Sequence, residues 1–268
     1  MNTRRIIHGL LICGALLAGG CVGTGRSSLS VYCGGGVSRP LSECAVRFEK
    51  RTGTGVHLSS GLSRAMFEEA RRMHGDMYVA GDVAYISEAE RDGIVASRGT
   101  ICYVRPVLVV RPGNPKKIRS VRDLGRAGVR FFLIASERCQ RGILGERILR
   151  REGVTAEALR ANRISELPDN ETVPSMIEAG KLDAALVWKR GAAKMGKNVA
   201  IIRPPELARE ACPVAAVVFH WCRDKAKAGA LLDFLGGEEA GRIFARHGFS
   251  VGPPETGARE DIQGRRSF

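Results

Sequence analysis

The chain has 268 residues, 44% of them hydrophobic and 26% charged, which suits one large or two modest globular domains rather than a disordered or low-complexity chain. Its 42 Lys and Arg against 28 Asp and Glu give a formal charge of +14, a field that favours anionic partners, although a solvated Arg-rich surface reads the same way. The basic residues are scattered, without RNA-binding aromatics or a DNA-reading motif, so nucleic acid is not the expected partner; nor does any interior run reach membrane-spanning length.

Arg4 and Arg5 precede an apolar run over residues 6–18, followed by Gly19, Gly20 and Cys21. This is the layout of a secretory leader over residues 1–20, too short to span a bilayer and stay. The stretch "LAGGC" resembles a bacterial lipoprotein processing site, which implies a chain lipidated at Cys21 and held at the membrane in the periplasm or cell envelope. Soluble export and a plain N-terminal anchor are the alternatives. Of eight cysteines, Cys13 lies in the leader and Cys21 at the lipid site. The remaining six, Cys33, Cys44, Cys102, Cys139, Cys212 and Cys222, permit disulfides in an oxidising compartment without fixing their pairing. No CxxC occurs, and His57, His74, His220 and His247 stand singly, so no bound metal ion is expected.

From Ser28 onward, strand and helix patterns alternate. "SLSVYC" reads as a strand and "CGGG" as the turn after it; residues 40–51 read as a helix with Leu41, Cys44, Ala45 and Phe48 on its apolar face, closed by Gly53. "GVHLSS" is the next strand, so the chain opens on a βαβ unit. A second helix follows residues 61–63, "DMYVAGD" gives a short strand, and "ISEAERDGIV" is helical. "ICYVRPVLVVRPGNP" is a long extended run interrupted by Pro106, suited to crossing between lobes.

Beyond it, "SVRDLGRAG" predicts a short helix, "VRFFLIA" a buried strand and residues 139–151 a helix. "TVPSMIEAG", "LDAALVW" and "VAIIRPP" continue as helix, strand and strand. "CPVAAVVFHWC" is a second long apolar run, able to return the chain to the first lobe, and the C-terminal segment gives two helices split by Gly236 and Gly237. The expected organisation is α/β: a first lobe from residues 28–105 and 215–252, a second from 106–214, and a polar tail over 253–268.

The segments "SVYCGGGVSRPLSECAVRFEKRTGTGVHLSSGLSRAM", "GDMYVAGD", "RPVLVVRPGNPKKIRSVRDLGRAGVRFFLIAS", "IEAGKLDAALVW" and "FLGGEEAGRIFARHGF", in this order, resemble the periplasmic molybdate-binding proteins. These are the solute receptors of molybdate and tungstate ABC importers, and the likeness spans residues 29–252. It implies a two-lobed periplasmic-binding-protein fold of type II, with a ligand cleft between lobes joined by two extended crossings. It further implies a monomer with no cofactor that captures a tetrahedral oxyanion and delivers it to a membrane permease. Molybdate and tungstate come first, with sulfate, phosphate or an organic anion behind them.

A dianion taken out of water is held by helix N-termini, hydroxyls and aromatic N–H or O–H donors. On the first lobe the resemblance points to Gly35, Gly36, Ser38 and Ser63, with Gly36 standing where the family usually has a serine, and with Ser63 expected at a helix N-cap. On the second it points to the amide of Arg141, to the amides at Asn170 and Glu171, and to Trp188, whose indole N–H replaces the family's tyrosine. A carboxylate at Glu171 must turn away from such a guest.

The rivals are a thiol enzyme using Cys33 or Cys139, and a receptor-like lipoprotein that senses without transport. The first lacks every common catalytic motif: no GxSxG, Walker loop or Rossmann GxGxxG occurs. The second shares the fold.

Overall fold

A computed structural model describes residues 28–81, 83–133, 140–164 and 172–253. The leader, Cys21, Cys139, Asn170, Glu171 and the tail beyond residue 253 lie outside the described residues.

The first half alternates as β1 (Ser28–Gly34), α1 (Ser38–Thr52), β2 (Gly55–Gly61), α2 (Ser63–Arg72), β3 (Met77–Ala80), α3 (Val83–Arg91) and β4 (Val95–Val104). The chain then changes lobe and continues through β5 (Pro106–Val110), β6 (Phe131–Phe132), α4 (Gln140–Arg151), α5 (Ala156–Asn162), β7 (Arg163–Ile164), α6 (Thr172–Glu178), β8 (Ala184–Trp188), α7 (Lys189–Ala192), β9 (Ala200–Ile202) and α8 (Pro205–Ala208). It returns as β10 (Cys212–Phe219) and closes with α9 (Lys225–Gly236) and α10 (Glu238–Arg246).

These elements make two five-stranded sheets, ordered β2-β1-β3-β10-β4 and β7-β6-β8-β5-β9. In the first, β1 runs parallel to β2 and β3 while β10 is antiparallel to β3 and β4. The second repeats that plan, with β6 parallel to β7 and β8, and β5 antiparallel to β8 and β9. Two open α/β sheets that each contribute strands to a common cleft are the expected type II binding-protein architecture.

The helices form where apolar spacing gives them a face to bury. In α1, Pro40, Leu41, Cys44, Ala45 and Phe48 turn inward, and Gly53 ends the helix in the left-handed conformation (φ 73°), its N–H donating to Glu49 O at 2.8 Å. Phe48 meets Phe234 of α9 with ring centroids 5.7 Å apart, and burial of such a side chain is worth roughly 1.5–3 kcal/mol. The largest core cluster runs from Leu29 and Phe48 through Cys102, Val104 and Leu108 to Leu144 and Ile148, so apolar packing is continuous from one sheet into the other.

The lobes are joined at two short places. Only Arg105 separates β4 from β5, and residues 209–211 separate α8 from β10. Cys212 is already in register with Val104, and β10 is paired on both sides from Ala215 to Val218. The return crossing therefore lies ahead of residue 212, upstream of the 214/215 boundary read from the apolar run, because a strand laddered to two neighbours is fixed within its sheet. Arg105 ties the joint together. Its Nε donates to Ser250 Oγ (3.1 Å), Nη1 to Ala208 O (3.0 Å) and Nη2 to Pro253 O (3.4 Å), and its carbonyl accepts from Lys189 N (2.8 Å).

Four of the cysteines, Cys33, Cys44, Cys102 and Cys222, are buried thiols outside any disulfide.

Candidate anion-binding cleft

In an open parallel sheet, a ligand site forms beyond the carboxyl ends of the strands. The CGGG turn follows β1 and Ser63 follows β2, both at such ends of the first sheet. Arg141, Trp188 and the residues after it follow β6 and β8 at the corresponding end of the second.

The turn is built as follows. Gly35 N donates to Gly61 O at 2.7 Å, Val37 N to Gly34 O at 3.0 Å and Ser38 N to Gly35 O at 3.4 Å. The Gly36 N–H has no acceptor among the described residues, and Gly35 and Gly36 are exposed. None of Gly34, Gly35 and Gly36 has a positive φ, so the backbone conformation does not demand glycine there. Space does. A Cβ on Gly34 would lie 2.6 Å from Ser63 Oγ, and one on Gly36 would lie 2.6 Å from Nη2 and 3.3 Å from Cζ of Arg190. The two outer glycines thus clear room for a hydroxyl on one side and a guanidinium on the other.

Ser63 proves to be the first residue of α2 rather than its N-cap, a position held by Leu62, and no side chain caps that helix end. Its carbonyl accepts from Tyr78 Oη at 3.0 Å, while its hydroxyl makes no hydrogen bond among the described residues. α1 likewise begins at Val37 without a side-chain cap. Two helix N-termini therefore meet near one loop, each carrying the partial positive charge of its peptide dipoles, although Val37 N and Ser38 N of the first are bonded within the turn and Pro40 has no N–H. Ser38 is different. Its hydroxyl donates to Gly35 O at 2.9 Å and so is consumed in closing the turn rather than offered to a guest.

On the opposing lobe, Arg141 is the second residue of α4 and buried, its guanidinium 5.9 Å from the centre of the Phe132 ring. Trp188 ends β8 in register with Pro106, and its half-buried ring packs on the principal core. The side chain that crosses to the first lobe is that of Arg190, two residues further on, which sequence reasoning did not single out. Its stem rests on Gly248, where a Cβ would come within 3.0 Å of Arg190 Cα and Cβ and where φ is 82°, and its guanidinium lies 5.4 Å from the centre of the Phe249 ring.

Arg190 has no counter-ion among the described residues, and its Nε is buried without a hydrogen-bond partner. Burial pushes its pKa down, opposed only by the nearby Cys102 thiol. A guanidinium in this position remains cationic and is left in want of an anion. The Ser63 hydroxyl lies beside Gly34 and the Arg190 fork beside Gly36, two residues further along the same turn.

Thiol chemistry has no footing in the described part of this cleft. Cys33, at the end of β1, is fully buried, and desolvation raises its pKa to about 12, the opposite of what a thiolate nucleophile needs. A hollow lined by Ser30, His74, Asp76, Trp221 and Arg223 lies at the other end of the first sheet, away from this convergence.

Residues 29–250 match the model of the family described as bacterial extracellular solute-binding protein. The chain belongs to that family. Its members bind solutes and are not enzymes, which sets the thiol-enzyme alternative aside. Among curated relatives, the molybdate-binding protein ModA of Mycobacterium tuberculosis is 25% identical over 256 residues, covering 92% of this chain and 95% of the relative. Among solved structures, the periplasmic molybdate-binding protein of Azotobacter vinelandii superposes with a TM-score of 0.62 at 20% identity, over 84% of this chain and 99% of that one. The sulfate-binding protein SubI of Mycobacterium tuberculosis superposes with a TM-score of 0.60 at 18% identity, over 85% and 88%. At these identities the superpositions establish the fold alone. Among the described residues, no helix is long and apolar enough to cross a membrane.

Proposed function

We propose that this solute-binding protein is the receptor of an ABC importer for a small tetrahedral oxyanion, with molybdate or tungstate first and sulfate, phosphate or an organic anion behind them. The observation that carries the reading is the proximity of a Gly36 N–H, a Ser63 hydroxyl and an Arg190 guanidinium, drawn from both lobes and none of them partnered among the described residues. Every one of these groups can donate to oxygen, and together they replace the hydration shell of an anion with fixed dipoles and one full charge.

Ligand shifts an equilibrium between open and closed lobes; no bond is made or broken. In the open state each lobe offers half of the donor set. An anion bound to the Gly36 and Ser63 side then draws the Arg190 side onto it, the lobes turning about Arg105 and residues 209–211. The closed, loaded form is what a permease recognises.

The leader pattern and "LAGGC" support export and lipidation at Cys21, which would hold a monomeric receptor beside its permease at the envelope. The ModA relative and the molybdate-binding superposition favour molybdate and tungstate, and the SubI superposition keeps sulfate in view.

Calorimetric titration of the purified protein against molybdate, tungstate, sulfate and phosphate tests this. The expected result is saturable one-to-one binding of at least one of the four, molybdate or tungstate tightest. Absence of binding to all four would refute the oxyanion assignment.

A further inference from the structure

The oxyanion reading leaves open which group on the second lobe sets selectivity. We propose that Arg190 is the charge-bearing ligand residue of the cleft, that Gly36 is small in order to admit it, and that the site thereby selects doubly over singly charged tetrahedral oxyanions. The proposal rests on the oxyanion reading and deepens it.

Three separate observations meet here. Gly36 has an ordinary φ, so alanine would be tolerated by the backbone, yet any Cβ would collide with Nη2 at 2.6 Å. The glycine therefore leaves the guanidinium its present position, from which a methyl group would displace it. Secondly, the arm is braced: its stem lies on Gly248 and its Cζ lies 5.4 Å from the centre of the Phe249 ring, itself 4% exposed, so the fork is held against the protein. Thirdly, the guanidinium has neither carboxylate nor hydrogen-bond acceptor among the described residues, although 19 ion pairs occur elsewhere among them. In a surface this rich in arginine–carboxylate contacts, the arginine that reaches between the lobes has no partner among the described residues.

An arginine in such a place does what a ring of neutral donors cannot. Its charge rewards each additional negative charge on the guest, and its two parallel N–H groups meet two oxygens of a tetrahedral face at once. Trp188, by contrast, packs on the core through its ring and contributes at most one N–H.

The test titrates the full-length wild-type protein and the variants Arg190→Gln, Arg190→Lys and Gly36→Ala with tungstate and with perrhenate, a tetrahedral oxyanion of similar size and half the charge. Arg190→Gln should weaken tungstate binding by roughly tenfold to a hundredfold and perrhenate binding by clearly less, so that the preference for tungstate shrinks. Arg190→Lys should restore part of the loss, and Gly36→Ala should weaken tungstate binding because its methyl displaces the fork. Without ligand, Arg190→Gln should melt close to wild type, since the loss of packing on Phe249 is set against removal of a poorly solvated charge that has no carboxylate partner among the described residues. Wild-type-like tungstate binding by Arg190→Gln overturns the proposal and leaves the oxyanion receptor standing. So does a loss of binding matched by a lowered melting temperature and not rescued by lysine, which would make Arg190 a structural latch. If the wild-type protein binds neither tungstate, molybdate, sulfate nor phosphate, both readings fall together.

Discussion

Ser63 is expected at a helix N-cap, and the structure gives that position to Leu62. The sequence marks it as a helix start, and capping is the ordinary use of a serine there, yet Leu62 takes the cap position and the Ser63 hydroxyl is left unspent beside Gly34. Ser63→Ala should therefore cost binding and not folding: a loss of roughly 1–3 kcal/mol in oxyanion affinity by calorimetry, with an unchanged melting temperature. A lowered melting temperature with unchanged affinity would return the residue to a structural role. Arg190 was not legible at all, because "WKRGA" after a strand looks like solvated charge; only the fold brings Gly36 and Phe249 to it. Asp123 offers a residue-scale test of the second lobe. Burial alone would raise its carboxyl, but the N–H groups of Arg119 and Ser120, the Ser120 hydroxyl and Arg126 outweigh that and hold its pKa below the usual carboxylate value. A carboxyl depressed in the folded state stabilises above its unfolded pKa, near 4, and loses that contribution as pH falls through the folded value. Denaturant titration should find Asp123→Asn less stable than wild type at pH 7, with the gap closing as pH falls below about 4; a gap independent of pH would contradict the assignment.

Elements with a strong period were legible, and those set by tertiary pairing were not. α1 and the C-terminal helix pair declare themselves by apolar spacing and by Gly53, Gly236 and Gly237. β4 starts at Val95, well before the apolar run that marked it, because it is an edge strand whose Ser97 and Arg98 face water while its backbone pairs with β10. α5 and β7 passed unremarked, although Thr155 caps α5 by accepting from Ala158 N at 3.2 Å, a signal that a capping search would find. β6 was legible as the apolar run "VRFFLIA", whereas the two residues of β7 carry too few side chains to show alternation. The joint at Arg105 is the element on which closure depends. Arg105→Ala removes three hydrogen bonds that brace both crossings, each worth about 0.5–1.5 kcal/mol. It should lower the melting temperature by about 2–4 °C per kcal/mol lost and enlarge the unliganded protein in small-angle scattering. Unchanged dimensions and melting would place the brace elsewhere.

At the scale of the molecule, two sheets share the same strand plan, and the Arg190 guanidinium that reaches from one lobe to the other has no counter-ion among the described residues. The fold class followed from the alternating strand and helix pattern and from five segments in a familiar order. The candidate site was less legible, since it draws side chains from residues far apart in sequence, and Asn170 and Glu171 lie outside the described residues. The overall basic charge is consistent with anion capture but does not locate it; the proposal places it where Gly36 meets Arg190.

The most direct measurement is crystallographic, using the anomalous scattering of tungsten in crystals grown with tungstate. The account predicts one dominant tungsten peak between the lobes, with its oxygens at hydrogen-bond distance, about 2.7–3.2 Å, from the Gly36 N–H, the Ser63 hydroxyl and the Arg190 guanidinium. A peak elsewhere, or one in the cleft with Arg190 turned away from it, would contradict the account.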